Sequence, residues 1–147
     1  MTKPQAFFSA LSFSDSVQQL GINDLLLGSE TVATVLAAQQ TVYGLFGSAR
    51  VFQPTMLPVT TSTNFWLDTA SQTFNSPATG TLALLNSLNG SIRAVPSGVY
   101  RVLDAADVAM TARDSDIWTA PPQSTQDGIH PQPPRTNTLA TSLAPNL

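Results

Sequence analysis

With 147 residues, of which 42% are hydrophobic and 10% charged, the chain has the length of one domain and can bury about two thirds of its unfolded surface. A charge content far below the roughly 25% of ordinary soluble domains leaves Ser, Thr, Asn and Gln to cover much of the surface, which suits burial in a larger assembly. Six basic residues against nine acidic ones, with no basic cluster, exclude a nucleic-acid partner; the lack of cysteine excludes disulfide scaffolds and thiolate sites, and one histidine gives no basis for a metal or other cofactor.

In chain order, Ala6 to Phe13 reads as the end of a helix or an extended lead-in; it is too interrupted by serine for a secretory signal and lacks a small-residue cleavage site. No apolar run approaches the ~18 residues needed to cross a bilayer, so the chain reads as soluble, with no export route of its own and no address. Ser16 to Leu20 forms a short strand that ends at Gly21, with Asn23 and Asp24 just past its carboxyl end, where open α/β sheets bind ligands. Ser29 as N-cap and Glu30 in the first turn then start a helix, with Val32, Val35, Leu36, Tyr43 and Phe46 at helical spacing and Gly47 as its stop.

Arg50 to Thr60 predicts the next strand, with Pro54 and Pro58 marking where regular pairing ends. Between Thr61 and Asn89, Trp66, Leu67, Ala70 and Phe74 suit one amphipathic helix and Leu82, Leu85 and Leu88 another, split at Ser76-Pro77. Val99 to Leu103 is β-branched and aromatic and reads as a strand. Thr111 to Gln126, with Pro121 and Pro122, is a loop that delivers Asp127 and His130; after Pro133-Pro134, Leu139, Ala140 and Leu143 make a terminal helix ending before Pro145. The alternation predicts a single α/β domain over residues 1–147, a three-layer, flavodoxin-like sandwich on a mostly parallel sheet.

His130 is the sole imidazole and follows Asp127 by three residues in Asp127-Gly-Ile-His-Pro131. Imidazole is the one side chain that titrates near neutrality unaided. A carboxylate three residues before it can hold one ring nitrogen while the other faces a reacting group. Read blandly, the pentapeptide is a turn before a helix, and Gly21-Ile-Asn-Asp24 is equally a turn, since Gly and Asn tolerate positive φ.

Taken together, in this order and in an α/β frame, the two tetrapeptides resemble the SGNH, or GDSL-type, hydrolases. Gly21-Ile-Asn-Asp24 looks like that family's Gly-x-Asn-Asp motif, and Asp127-Gly-Ile-His130 like its Asp-x-x-His motif. Val51 to Pro58 is similar to the family's fourth strand with its proline-bearing exit, and the resemblance runs from about Val17 to near the end of the chain. It implies an ester substrate, His130 as general base, Asp127 as its orienting carboxylate and Asn23 as an oxyanion donor. Gly21 and Asp24 would support the oxyanion loop, Asp24 by accepting backbone hydrogen bonds.

The family's Gly-Asp-Ser nucleophile motif and first strands do not appear. Ser14-Asp-Ser16 is superficially similar, but it lies in the strand leading into Gly21, so Ser16 is a weak nucleophile candidate whose ordinary role is a solvated strand position. In the family the first strand lies beside the Gly-x-Asn-Asp strand. Its absence would leave Ser16 to Leu20 as an open edge to be covered by residues 1 to 13, by a second copy, or by another chain bearing the serine. The expectation is therefore a partial hydrolase domain, inactive without that serine, with a non-catalytic subunit of a virion or other large assembly as the alternative. Trp66 and Trp118, in the variable loops, are assigned to packing rather than to a ligand.

Overall fold

The computed structural model describes residues 13–75, 81–120, 123–133 and 135–147. The lead-in before Phe13, the Ser76-Pro77 break, Pro121-Pro122 and Pro134 lie outside them. Strand β1 (Asp15–Val17) leads through Gly21 into helix α1 (Ile22–Leu26) and then α2 (Val32–Gly44). After β2 (Arg50–Pro54) come β3 (Thr60–Ser62), β4 (Gln72–Phe74), α3 (Leu82–Arg93), β5 (Arg101–Leu103), α4 (Ala105–Ala109) and α5 (Arg135–Leu143).

The central sheet is parallel, in the order β1-β2-β5, with Ser16 opposite Val51 and Phe52 opposite Arg101. This is the predicted α/β architecture. Alternation along the strands gives each face a helical cover. On one face Gln53 accepts the Tyr43 hydroxyl of α2 at 2.6 Å, and Val102, opposite Gln53, packs against a core of Leu25, Val35, Met56, Leu85, Leu88 and Ile92. On the other face, Arg101 reaches the Asn146 carbonyl just past α5, at 2.9 Å. A second core joins Ala105, Ala109, Trp118 and Leu139, with Leu57 and Trp66 against it.

Several local expectations are corrected. The first strand is shorter than Ser16 to Leu20, although Gln18 N still donates to Phe52 O at 2.9 Å. Thr31, not Ser29, caps α2 by accepting from Thr34 N at 3.1 Å; Ser29 sits in the left-handed region at φ 61° and cannot open a helix. Asn23 and Asp24 lie inside α1 rather than in a loop.

The largest difference is at Trp66 to Phe74, where the predicted helix is a β3–β4 hairpin. Its tip is built from side chains that capture backbone groups. Ser62 Oγ accepts from Asn64 N (3.2 Å) and Trp66 N (2.9 Å), Asn64 Oδ1 from Leu67 N (3.2 Å), and Asp68 Oδ1 from Ser71 N (2.8 Å). Such bonds compete directly with the helical ladder. The second expected helix is present as α3, capped by Thr81. There Asn89, fully buried, clamps the Met56 peptide from both sides (2.6 and 3.0 Å), fixing the chain where it leaves β2.

Candidate functional site

Asp127 and His130 form a bonded pair: His130 Nδ1 lies 2.6 Å from Asp127 Oδ2. The other carboxylate oxygen accepts from Ile129 N (2.9 Å) and His130 N (2.8 Å), the turn that an Asp favours locally. Burial works to raise the Asp127 pKa, but the His130 backbone and ring and the Ile129 amide outweigh it and hold the carboxyl far below the usual range. An ionised carboxylate at Nδ1 favours the tautomer that carries its proton there and leaves Nε2 as the acceptor. With side chains 79% and 54% exposed, the pair contributes little to stability; its effect is to orient the ring.

The loop beneath is rigid for identifiable reasons. Gly128 has φ 82°, and a Cβ there would stand 1.8 Å from Thr60 O and 2.9 Å from the Trp66 ring. Its carbonyl accepts from Thr60 N (3.0 Å) and from Trp118 Nε1 (2.9 Å), both residues buried. Thr125, also buried, takes the Gly128 amide at 3.0 Å, and a bridge between Thr125 and Pro131 closes the loop. Trp118 and Trp66 thus serve packing, as expected, and do so directly under the histidine loop.

The other motif follows β1. Gly21 has φ 102°, and a Cβ there would meet Val35 Cγ1 at 2.3 Å, so glycine is required both for the backbone turn and for the approach to α2. Asn23 is exposed in the first turn of α1; its carbonyl accepts from Leu27 N (2.8 Å), while its side-chain amide has no bond to a described residue. Asp24 ties the following turn through its main-chain carbonyl, which accepts from Gly28 N and Glu30 N (3.1 and 3.2 Å), and not through its carboxylate. Ser16 is buried within β1, and its hydroxyl accepts from Gln18 Nε2.

The structure therefore brings Asp127 and His130 into contact, whereas Asn23 and Ser16 bond to neither. Segments leaving the carboxyl ends of β1 and β2 are nonetheless joined, by Gln19 Nε2 to Thr55 O at 3.3 Å. Among the described residues no three acidic or histidine side chains gather as metal ligands; Asp104, Asp107 and Asp114 are paired with Arg93. Two features escaped the sequence reading. Asp116 is fully buried and donates nothing visible to periodicity, and Phe65 is 76% exposed beside Trp66. The only signal for Phe65 was the polar run Ser62-Thr-Asn64 before it, which announces a turn.

No family model matches the chain, and no curated protein matches it. A solved structure does: a carbohydrate esterase family 3 protein from Talaromyces cellulolyticus, with a TM-score of 0.57 at 14% sequence identity. The match covers 90% of this chain and 56% of that one, so this chain spans little more than half the length of its structural neighbour. At that identity the likeness establishes the fold alone: the chain shares its α/β architecture with that protein.

Proposed function

We propose that the chain carries the C-terminal part of an SGNH-type ester hydrolase site, with His130 as general base, Asp127 as its orienting carboxylate and Asn23 as an oxyanion donor. The observation that carries this reading is the 2.6 Å Asp127–His130 contact on a loop locked by Gly128, Thr60 and Trp118, with the imidazole Nε2 open to solvent. Nε2 takes the proton of a serine hydroxyl as its oxygen attacks the ester carbonyl. The Asn23 amide stabilises the resulting oxyanion, and the protonated imidazole then releases the alcohol. Water, activated by the same nitrogen, frees the acid and restores the serine.

The serine comes from a segment that pairs with β1. Three features support this reading. Among the described strands β1 is bonded only to β2, Val17 and Leu20 are exposed, and a groove of about 350 Å³, apolar along Val35, Ala38 and Val42 of α2 and flanked by Asp24 and Glu30, runs beside Gly21. Ser16 stays the weaker candidate for the role, because it is buried in β1 and its hydroxyl accepts from Gln18 Nε2.

Assays with p-nitrophenyl acetate and an acetylated sugar, on the chain alone and with any polypeptide that co-purifies with it, test the reading. Turnover should require the partner and vanish in His130→Ala, and Asn23→Ala should lower kcat by about 10²-fold. Turnover by the lone chain that survives His130→Ala overturns the assignment, as does loss on Ser16→Ala. A stable complex with no turnover on any ester would leave a structural subunit on a hydrolase frame.

A further inference from the structure

We propose that Asp116 is a protonation latch on the histidine loop: with its carboxyl neutral the loop is held against Thr60 and Trp118, and loss of that proton favours an opened loop. The latch goes beyond the ester hydrolase reading and does not require it. Asp116 is fully buried; its Oδ1 accepts from Val59 N at 3.1 Å, and its Oδ2 has no partner among the described residues. These neighbours put the carboxyl between the two groups that hold Gly128. Val59 precedes Thr60, whose amide donates to the Gly128 carbonyl at 3.0 Å. Trp118, two residues after Asp116, donates its indole Nε1–H to the same oxygen at 2.9 Å. Trp118 is itself fixed by Gln72 of β4, which bonds both its amide and its carbonyl at 3.0 Å. Both arms of the clamp thus start at Asp116 and close on one carbonyl inside Asp127-Gly-Ile-His130.

A carboxylate enclosed in this way is strongly disfavoured unless a cation answers it. The charged side chains of the surrounding elements are engaged elsewhere. Arg93, the one charged residue of α3, bonds Asp104, Asp107 and Asp114, and Arg113 of the same loop as Asp116 bonds Asp104 and Asp107 of α4 and its lead-in. Arg135 of α5 bonds Ser124 and the Val108 carbonyl, Asp68 of the hairpin bonds Ser71, and Asp127 and His130 bond each other. The segment from Thr55 to Thr60 has no ionisable side chain. Burial therefore pushes the Asp116 carboxyl up to about 7, with the Val59 amide pulling weakly the other way. When the loop opens and water reaches the carboxyl, its pKa returns toward about 3.9. The closed form alone holds the proton between these values. Closure is then strongest below about pH 4, and the opened population grows about tenfold per pH unit toward 7 and levels off above it.

The test is hydrogen exchange of the full chain, followed by NMR from about pH 5 to about pH 8 with the intrinsic rates divided out. The Thr60 amide and the Trp118 indole proton should lose protection about tenfold per pH unit up to about 7 and hold level beyond. At every pH they should be less protected than the slowest amides of α2 and α3, because the loop opens without unfolding the domain. In Asp116→Asn, which keeps an acceptor for Val59, the protection of both protons should be independent of pH. In His130→Gln, which removes the one imidazole, the dependence should persist. The Asp116 carboxyl carbon of the unaltered protein should titrate near 7, a readout that needs no variant to fold. A midpoint below about 5 overturns the latch, as does a pH dependence that survives Asp116→Asn or is lost in His130→Gln. Protection equal to that of the slowest helix amides also overturns it, since the loop would then open only with the whole domain. None of these outcomes bears on whether His130 acts on esters, which the turnover assays decide.

Discussion

At the scale of single residues, Gly128 decides where the imidazole stands. A methyl group there would penetrate the Thr60 carbonyl, 1.8 Å away, and the φ of 82° adds its own cost to any side chain. The neighbouring atom is backbone, inside a buried stretch, and cannot move aside cheaply. We expect Gly128→Ala to lower stability by about 2–5 kcal/mol and to detach the loop from Thr60 and Trp118. Denaturant unfolding gives the first quantity and loss of protection at the Thr60 amide the second. An alanine variant of unchanged stability would mean the loop is held by something other than this close approach. Removing the exposed Asp127–His130 contact should change the ring's orientation and tautomer far more than the midpoint of unfolding.

Among the elements, those with clean periodicity were legible from sequence. Leu82, Leu85 and Leu88 mark α3, and Val32, Val35, Leu36 and Tyr43 mark α2, because their buried faces follow the helical period. The β3–β4 hairpin was not legible, since Trp66, Leu67, Ala70 and Phe74 imitate a helical stripe. What overrides them is the capture of backbone amides by Ser62, Asn64 and Asp68, a three-dimensional fact that no hydrophobic count contains. Helix α4 is one turn long, too short for a period to register.

The loop from α4 to Trp118 holds a buried acid that likewise left no trace in the sequence. Asp116 Oδ1 accepts from Val59 N at 3.1 Å, and Oδ2 has no partner among the described residues, as is also true of Asn86 Oδ1 on α3. Burial pushes the Asp116 carboxyl up to about 7, against a small opposing pull from the Val59 amide. An unfolded Asp titrates near 3.9. The folded state therefore binds the extra proton between these values, so its contribution is complete below about pH 4 and is lost as pH rises toward 7, by about 1.4 kcal/mol per unit. Asp116→Asn keeps the acceptor for Val59, tolerates the residue's positive φ, and removes the titration. Its stability should vary less between pH 4 and 7 and exceed that of the parent at pH 8; parallel stability curves for the two proteins would show that Asp116 is ionised in the fold.

For the whole molecule, the sheet orders the site. Three parallel strands send their carboxyl ends toward α1, toward the Thr55 to Thr60 segment and toward α4, and the histidine loop is bonded to the second of these through Thr60. The Asp127–His130 contact could be read in advance because it is local in sequence, and the fold class because the alternation of strand-like and helix-like segments that dictates a parallel sheet is visible segment by segment. The relation of Asn23 to His130 could not, since it depends on how α1 and the loop after Trp118 are carried by different strands. The proposed reaction requires both side chains at one rim, the amide on the oxyanion and the imidazole on the nucleophile. The chain has no cysteine, so thiol labels can be placed at will. Asn23→Cys and His130→Cys, combined in one chain and labelled with nitroxides, read that relation directly by continuous-wave EPR. Strong dipolar broadening relative to the two singly labelled proteins is the expected result; a spectrum equal to the sum of the two would place the side chains far apart and contradict the shared site.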